Sequence, residues 1–237
     1  MGTLNRLPQD YRSGTAAQLE SNRQQGRIRV KELSERDRRR LLMHFLELGD
    51  SDRLLRFGTV LPDEMLTRYV QRLDFVRDTV FGVFDTNLTL VGVGHLAFVP
   101  CDMQPVPSAH TEKARVAEFG VSVAASARSS GIGSRLFERA AIHCRNEDVD
   151  TLYMQCLATN HTMIHIARKA GMQIHRAHGE ADAYLKLTPA NSCTMLQEAV
   201  EQQVAALDYT IRAKTRAAAQ WLAELPTHLG SCKEEQK

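Results

Sequence analysis

Between Ala117 and Ser134 the chain reads AEFGVSVAASARSSGIGS, an apolar alternation that gives way to small and polar residues. The alternation predicts a strand, and Arg128-Ser129-Ser130-Gly131-Ile132-Gly133-Ser134 predicts a turn and the opening of a helix. The first N–H groups of a helix lack intrahelical partners and sit at the positive end of its dipole, so they attract anions. Small residues let a diphosphate approach the backbone. The stretch is therefore a candidate cradle for the pyrophosphate of a nucleotide-bearing cofactor. Two other phosphate motifs are absent: no third glycine completes GxGxxG after Gly131-Ile132-Gly133, and no GxxxxGK(S/T) occurs. His161 and His165 stand four apart on a helical pattern, but no third ligand has usable spacing, so no metal site is expected. His175 and His178 fare no better. His95, inside a strand-like run, is expected to be a satisfied structural histidine.

The elements that must position this cradle can be read around it. The chain has 237 residues, 43% hydrophobic and 24% charged, enough for one large domain with an appended element. A formal net charge of +2 gives no strong pull toward nucleic acid or membrane. Five scattered cysteines without CxxC spacing predict reduced thiols and a cytoplasmic location. The polar first residues predict no signal peptide, and the lack of a long apolar run predicts no membrane span. Residues 1–26 are polar and predict a flexible tail. A strand follows from Arg27, then a helix capped at Ser34 and carrying Leu41, Leu42, Phe45, Leu46 and Leu48. Its basic run Arg36, Arg38, Arg39 and Arg40 is expected to be a solvated face. Gly49-Asp50-Ser51-Asp52 is expected to break the helix, with 53–58 a compact mixed segment. A second helix opens at Leu61-Pro62-Asp63, with proline at a tolerated early position.

Thr79–Phe84 and Leu88–Val99 predict a hairpin, Pro100–Thr111 a loop, and Arg115–Val123 the central strand. A helix over 131–145 and a strand over 151–157 then argue for a right-handed parallel crossover. Another helix runs from Asn160 to a cap at Gly171, and two short strands close the domain near residue 188. Residues 192–224 contain no Gly or Pro, and Leu196, Val200, Val204, Leu207, Ile211, Ala218 and Leu222 fall at helical steps. The extension over 189–229 is thus a long amphipathic helix, or two, whose stripe needs cover from the domain or from a second subunit. Residues 230–237 predict a polar tail.

Val123 to Gly133 resembles the acetyl-CoA loop of the GNAT superfamily of N-acetyltransferases, and residues 27–188 follow that family's order of elements. Asn160 with Ala167, Lys169, Ala170 and Gly171 is similar to the family's later helix. The resemblance implies an α/β fold with a mixed, splayed sheet, flanking helices and a C-terminal helical extension. It also implies an acetyl-CoA-dependent N-acetyltransferase that needs no metal and works by direct transfer in a ternary complex. Gly131, Ile132, Gly133 and Ser134, with the turn Arg128, Ser129 and Ser130, would hold the pyrophosphate. The backbone of Val121 and Val123 would pair with the pantetheine, and Asn160 would meet the same arm. Glu118, in an AEF strand, becomes the candidate base, because an amine with a pKa near 10 must lose a proton before it attacks. Ser129 and Ser130 replace a glycine and a base common in the loop. Ala167 stands where many members carry a tyrosine that protonates the departing thiolate. That departure keeps open an alternative, a regulatory module that binds acyl-CoA without turnover. A shorter resemblance, over Ser51–Phe57 and Pro62–Leu66, is to the acetyltransferase domain of bacterial protein-lysine acetyltransferases. It adds protein lysine to small amines as a candidate acceptor.

Overall fold

The computed structural model describes residues 28–99 and 115–224. The expected tails 1–26 and 230–237 and the loop Pro100–Thr111 lie outside the described residues. Runs of alternating and β-branched residues form seven strands: β1 (Val30–Glu32), β2 (Thr79–Phe84), β3 (Leu90–Val99), β4 (Val116–Val123), β5 (Thr151–Leu157), β6 (Gln173–Ala177) and β7 (Glu180–Lys186). They make one seven-stranded sheet in the order β1-β2-β3-β4-β5-β7-β6. Every neighbouring pair is antiparallel except β4 and β5. Parallel neighbours need a crossover, supplied here by helix α4 (Ile132–Asn146).

The sheet divides two apolar cores. On one face Leu136, Phe137, Ala140 and Cys144 of α4 pack with α5 (His161–Lys169) against β3, β4 and β5. On the other, α1 (Arg38–Leu46) and α3 (Asp63–Arg72) place Leu41, Phe45, Leu66 and Val70 against Val80, Phe84 and Val93. The first helix does break, ending at Leu46, but the segment expected to be mixed over 53–58 belongs to a new helix that starts at once. Gly49 precedes α2 (Asp50–Phe57), Asp50 and Asp52 occupy its first turn where the dipole favours acids, and left-handed Gly58 ends it. In the basic run, Arg38 pairs with Glu35 and reaches the carbonyls of Val70 and Leu73, while Arg36 and Arg39 stay exposed.

The C-terminal extension is a single helix, α6 (Ser192–Glu224), of 33 residues. It docks on the domain through its polar side. Glu198 accepts from Arg139 and His143, both at 2.6 Å, and from Asn146. Burial works to raise the Glu198 carboxyl, but these donors outweigh it and hold its pKa at about 2. Arg135 pairs with Glu201 at 2.7 Å, and Tyr209 packs on Phe84. The expected apolar stripe faces the other way: Leu196, Val200, Leu207 and Ile211 are each more than half exposed. Among the described residues no helix is long and apolar enough to cross a membrane.

Candidate functional site

The parallel pairing of β4 with β5 stops early. It runs from Val116↔Thr151 to Glu118↔Tyr153. Beyond it β4 stays paired with β3 as far as Val123, while β5 continues to Leu157 on β7. The two strands part, so the β5-facing edge of Phe119–Val123 keeps unpaired backbone groups, as the expected splay requires. Such an edge can receive an extended amide-bearing chain as an added strand.

Immediately after that edge the chain turns into α4. Gly131 holds φ 87° and Ser129 φ 61°, both in the left-handed region. Glycine takes that conformation without strain, whereas Ser129 carries a cost. Ser130 Oγ donates to the Ala127 carbonyl at 2.6 Å and ties the turn. The N–H groups of Ile132, Gly133 and Ser134 are thereby left at the head of a 15-residue helix. Val121, Val123, Arg128, Ser129, Ser130, Gly131, Ile132, Gly133, Ser134 and Asn160 all line one cleft of about 530 Å³. Arg128 is ion-paired with Asp52 of α2. Asn160 caps α5, its Oδ1 accepting from Met163 N–H at 3.1 Å, while its amide donates to the Leu55 carbonyl at 3.4 Å. Its side chain joins α2 and α5 at the cleft wall.

The cleft also contains residues that the sequence reading left out. Asp52 and Arg56 enter from α2, the helix read as irregular, and Lys169 enters from the end of α5. The only sequence signal for Arg56 is its helical spacing from Asp52. Ala167 is 2% exposed inside the core, with no hydroxyl to offer.

At the other end of β4, Glu118 is exposed and lies beside Tyr153 in register. Tyr153 Oη donates to Asp182 Oδ1 at 2.6 Å, and its ring lies 5.0 Å from that of Tyr184. Burial, followed by the Asp182 bond, pushes the Tyr153 hydroxyl well above its ordinary range. Across β4, a Cβ on Gly120 would come within 2.5 Å of the Arg56 guanidinium. Glycine there is what lets Arg56 lie on the strand. Arg56 Nη2 donates to Tyr69 Oη at 3.3 Å, Tyr69 Oη meets His95 Nδ1 at 3.0 Å, and His95 Nε2 meets Asp78 Oδ2 at 3.2 Å. His95 is thus satisfied, as expected, by partners from α3 and from the segment before β2. Behind the other end, His44 Nδ1 donates to the Leu90 carbonyl and its Nε2 accepts from Ser122 Oγ at 2.8 Å. Burial drives the His44 pKa down to about 4.

The sequence model of the acetyltransferase (GNAT) family matches residues 48–172, over half the chain. The chain belongs to the GNAT family. Solved GNAT structures share its fold. The GNAT domain of S. lividans PAT is 19% identical, with 68% of this chain and 90% of that one covered and a TM-score of 0.55. Spermidine N-acetyltransferase from Vibrio cholerae, solved with CoA and spermine, is 18% identical over 68% and 96% of the two chains, at a TM-score of 0.51. An N-acetyltransferase from Staphylococcus aureus is 16% identical over 68% and 99%, also at 0.51. No curated protein matches the chain. Within this GNAT domain, cradle and splayed edge are contiguous in sequence, whereas the groups around Glu118 and Gly120 come from separate segments.

Proposed function

We propose that the chain transfers an acetyl group from acetyl-CoA to a primary amine by direct attack in a ternary complex. The observation that carries this reading is the parting of β4 and β5 at Glu118↔Tyr153, directly before a helix start in the same cleft. The unpaired edge at Val121 and Val123 suits the pantetheine amides, and the N–H groups of Ile132, Gly133 and Ser134 suit the pyrophosphate. Arg128, Ser129, Ser130 and Gly131 shape that turn, and Asn160 closes the wall. Lys169 offers a positive charge in the same cleft, in place of the base that Ser129 and Ser130 lack. Acetyl-CoA supplies the activated acyl carbon, and its cleft holds no requirement for a metal in this reading.

Glu118 is the proposed base. It stands on the strand that carries the pantetheine edge, three residues before Val121, and is open to an arriving cation. With Asp182, Tyr153 and Tyr184 it forms an acidic, aromatic approach suited to a primary ammonium, whether of a small amine or a protein lysine. Free thiols at Cys144, Cys156 and Cys193 support a cytoplasmic setting. The test is release of CoA thiol from acetyl-CoA against a panel of polyamines, amino acids and lysine peptides. Amine-dependent release supports transfer. CoA binding without release supports the acyl-CoA-binding module, which buried Ala167 favours.

A homodimer through α6 belongs to the same proposal. The apolar stripe on its outward face has no cover among the described residues. Antiparallel pairing with a second copy covers the stripe and opposes the helix dipoles. Sedimentation should give twice the chain mass, reduced to one by Leu207→Glu; a monomeric parent overturns it.

A further inference from the structure

Four side chains from different parts of the sequence converge over Gly120, two residues beyond Glu118 and on the unpaired edge. Arg56 comes from α2, Tyr69 from α3, His95 from β3 and Asp78 from the segment before β2. His95 is the register partner of Gly120 across β3 and β4. The Tyr69 ring is fixed edge-on against Phe45 and Phe57, at 5.5 and 5.3 Å between centroids. Its hydroxyl therefore points where the hydrogen bonds hold it.

The bonds fix the direction of the protons. Arg56 can only donate, so it occupies one lone pair of Tyr69 Oη. The phenolic proton then goes to the remaining partner, His95 Nδ1. His95 consequently carries its own proton on Nε2 and donates it to Asp78. This is the order of groups in a nucleophile–histidine–aspartate triad, with a phenol in the first place. A phenol so arranged can take a proton on its free lone pair while it passes its own to the imidazole. The imidazolium formed lies 3.2 Å from the Asp78 carboxylate. Burial first, then the charges of Asp78 and Glu118, raise the Tyr69 pKa, which keeps the phenol neutral and able to serve at both ends. The charged groups facing it are Arg56 from α2, Asp78, and Glu118 from β4.

Proton balance gives such a relay a task. A primary ammonium sheds two protons on becoming an amide; one ends on the thiol of CoA and one in solvent. Glu118 can take one of them. We propose that Tyr69, backed by His95 and Asp78, is a second proton acceptor beside Gly120: it takes the other proton from the acceptor nitrogen and returns it to the CoA sulfur. The shift runs from nitrogen to Tyr69 Oη and from Tyr69 to His95 Nδ1, and its reversal delivers the proton. No group is left altered, and the missing hydroxyl at Ala167 is made good from the opposite side. The role rests on the acetyl-transfer reading above.

The test uses the full chain with Tyr69→Phe, His95→Gln and Asp78→Asn. Tyr69→Phe and His95→Gln should each lower kcat about a hundredfold while CoA affinity and the unfolding temperature stay near the parent's. Asp78→Asn should lower kcat about tenfold, because the imidazolium formed in the relay then lacks its carboxylate. Nitrogen-15 shifts of His95 in the free protein should report the Nε2-protonated tautomer. An active parent whose Tyr69→Phe and His95→Gln forms keep its rate and pH profile overturns the relay alone. A His95 protonated on Nδ1 overturns it without any turnover measurement. A parent that binds CoA but acetylates no amine overturns the transfer reading and the relay with it.

Discussion

The two ends of β4 are built in opposite ways. The C-terminal end, from Val121 through Ser134, works with backbone: an unpaired strand edge and the free N–H groups of a helix start. The N-terminal end, around Glu118 and Gly120, works with side chains brought from α2, α3, β3 and β7. A backbone site tolerates changes of side chain as long as φ and ψ survive, which is how Ser129 and Ser130 can stand in the loop. A side-chain site depends on each atom in turn. The first end should therefore govern cofactor affinity, and the second the rate and the choice of amine.

Substitutions can pull these roles apart. Glu118→Gln keeps size and loses the basic oxygen. It should lower kcat/KM about a hundredfold, roughly 3 kcal/mol, with CoA affinity unchanged by calorimetry. An equal loss of CoA affinity would merge the two ends. Acid should act next, on the cofactor end, through His44 behind Ser122. Its folded pKa of about 4 lies below the ordinary 6.5, so the native state resists the proton that the unfolded chain takes up. The stability this neutral imidazole contributes is fully present above pH 6.5 and is lost as pH falls toward 4. The loss amounts to roughly 3 kcal/mol. Denaturant midpoints across that window check it, and His44→Gln should flatten the slope there. Gly131→Val forces a β-branched residue into φ 87° at the cradle. It should weaken CoA about thirtyfold, or ~2 kcal/mol, and leave the pH profile of turnover in place. Lys169→Ala should cost about fivefold in CoA affinity, ~1 kcal/mol, and less at high salt.

The same contrast explains what could be read from sequence. The cradle was legible because its parts are neighbours in the chain and its residue types have few other uses in that order. Strand and helix bounds such as Thr151–Leu157 followed from alternation and from punctuation by Asn, Asp and Gly. Helix α2 was missed because Gly49 and two aspartates resemble a break, although the same residues favour a helix start. With α2 unread, Arg56 and Asp52 had no place in the site. Tyr69, His95 and Asp78 carry no common motif, because their meeting depends on the β3–β4 register and the packing of α3. The stripe of α6 is legible as a stripe from its helical spacing. Which side it would show could not follow from periodicity, since ion pairs from Arg135 and Arg139 decide it. Ala167 is legible as a gap, whereas the meeting of Tyr69, His95 and Asp78 exists only in three dimensions.

The decisive measurement is the release of CoA thiol from acetyl-CoA by the full chain, with and without a primary amine, read together with the mass of the amine product. Acetyl transfer predicts release that depends on the amine and matches an N-acetylated product mole for mole. CoA that binds in the cleft while no amine in a panel of polyamines, amino acids and lysine peptides gains an acetyl group would contradict it.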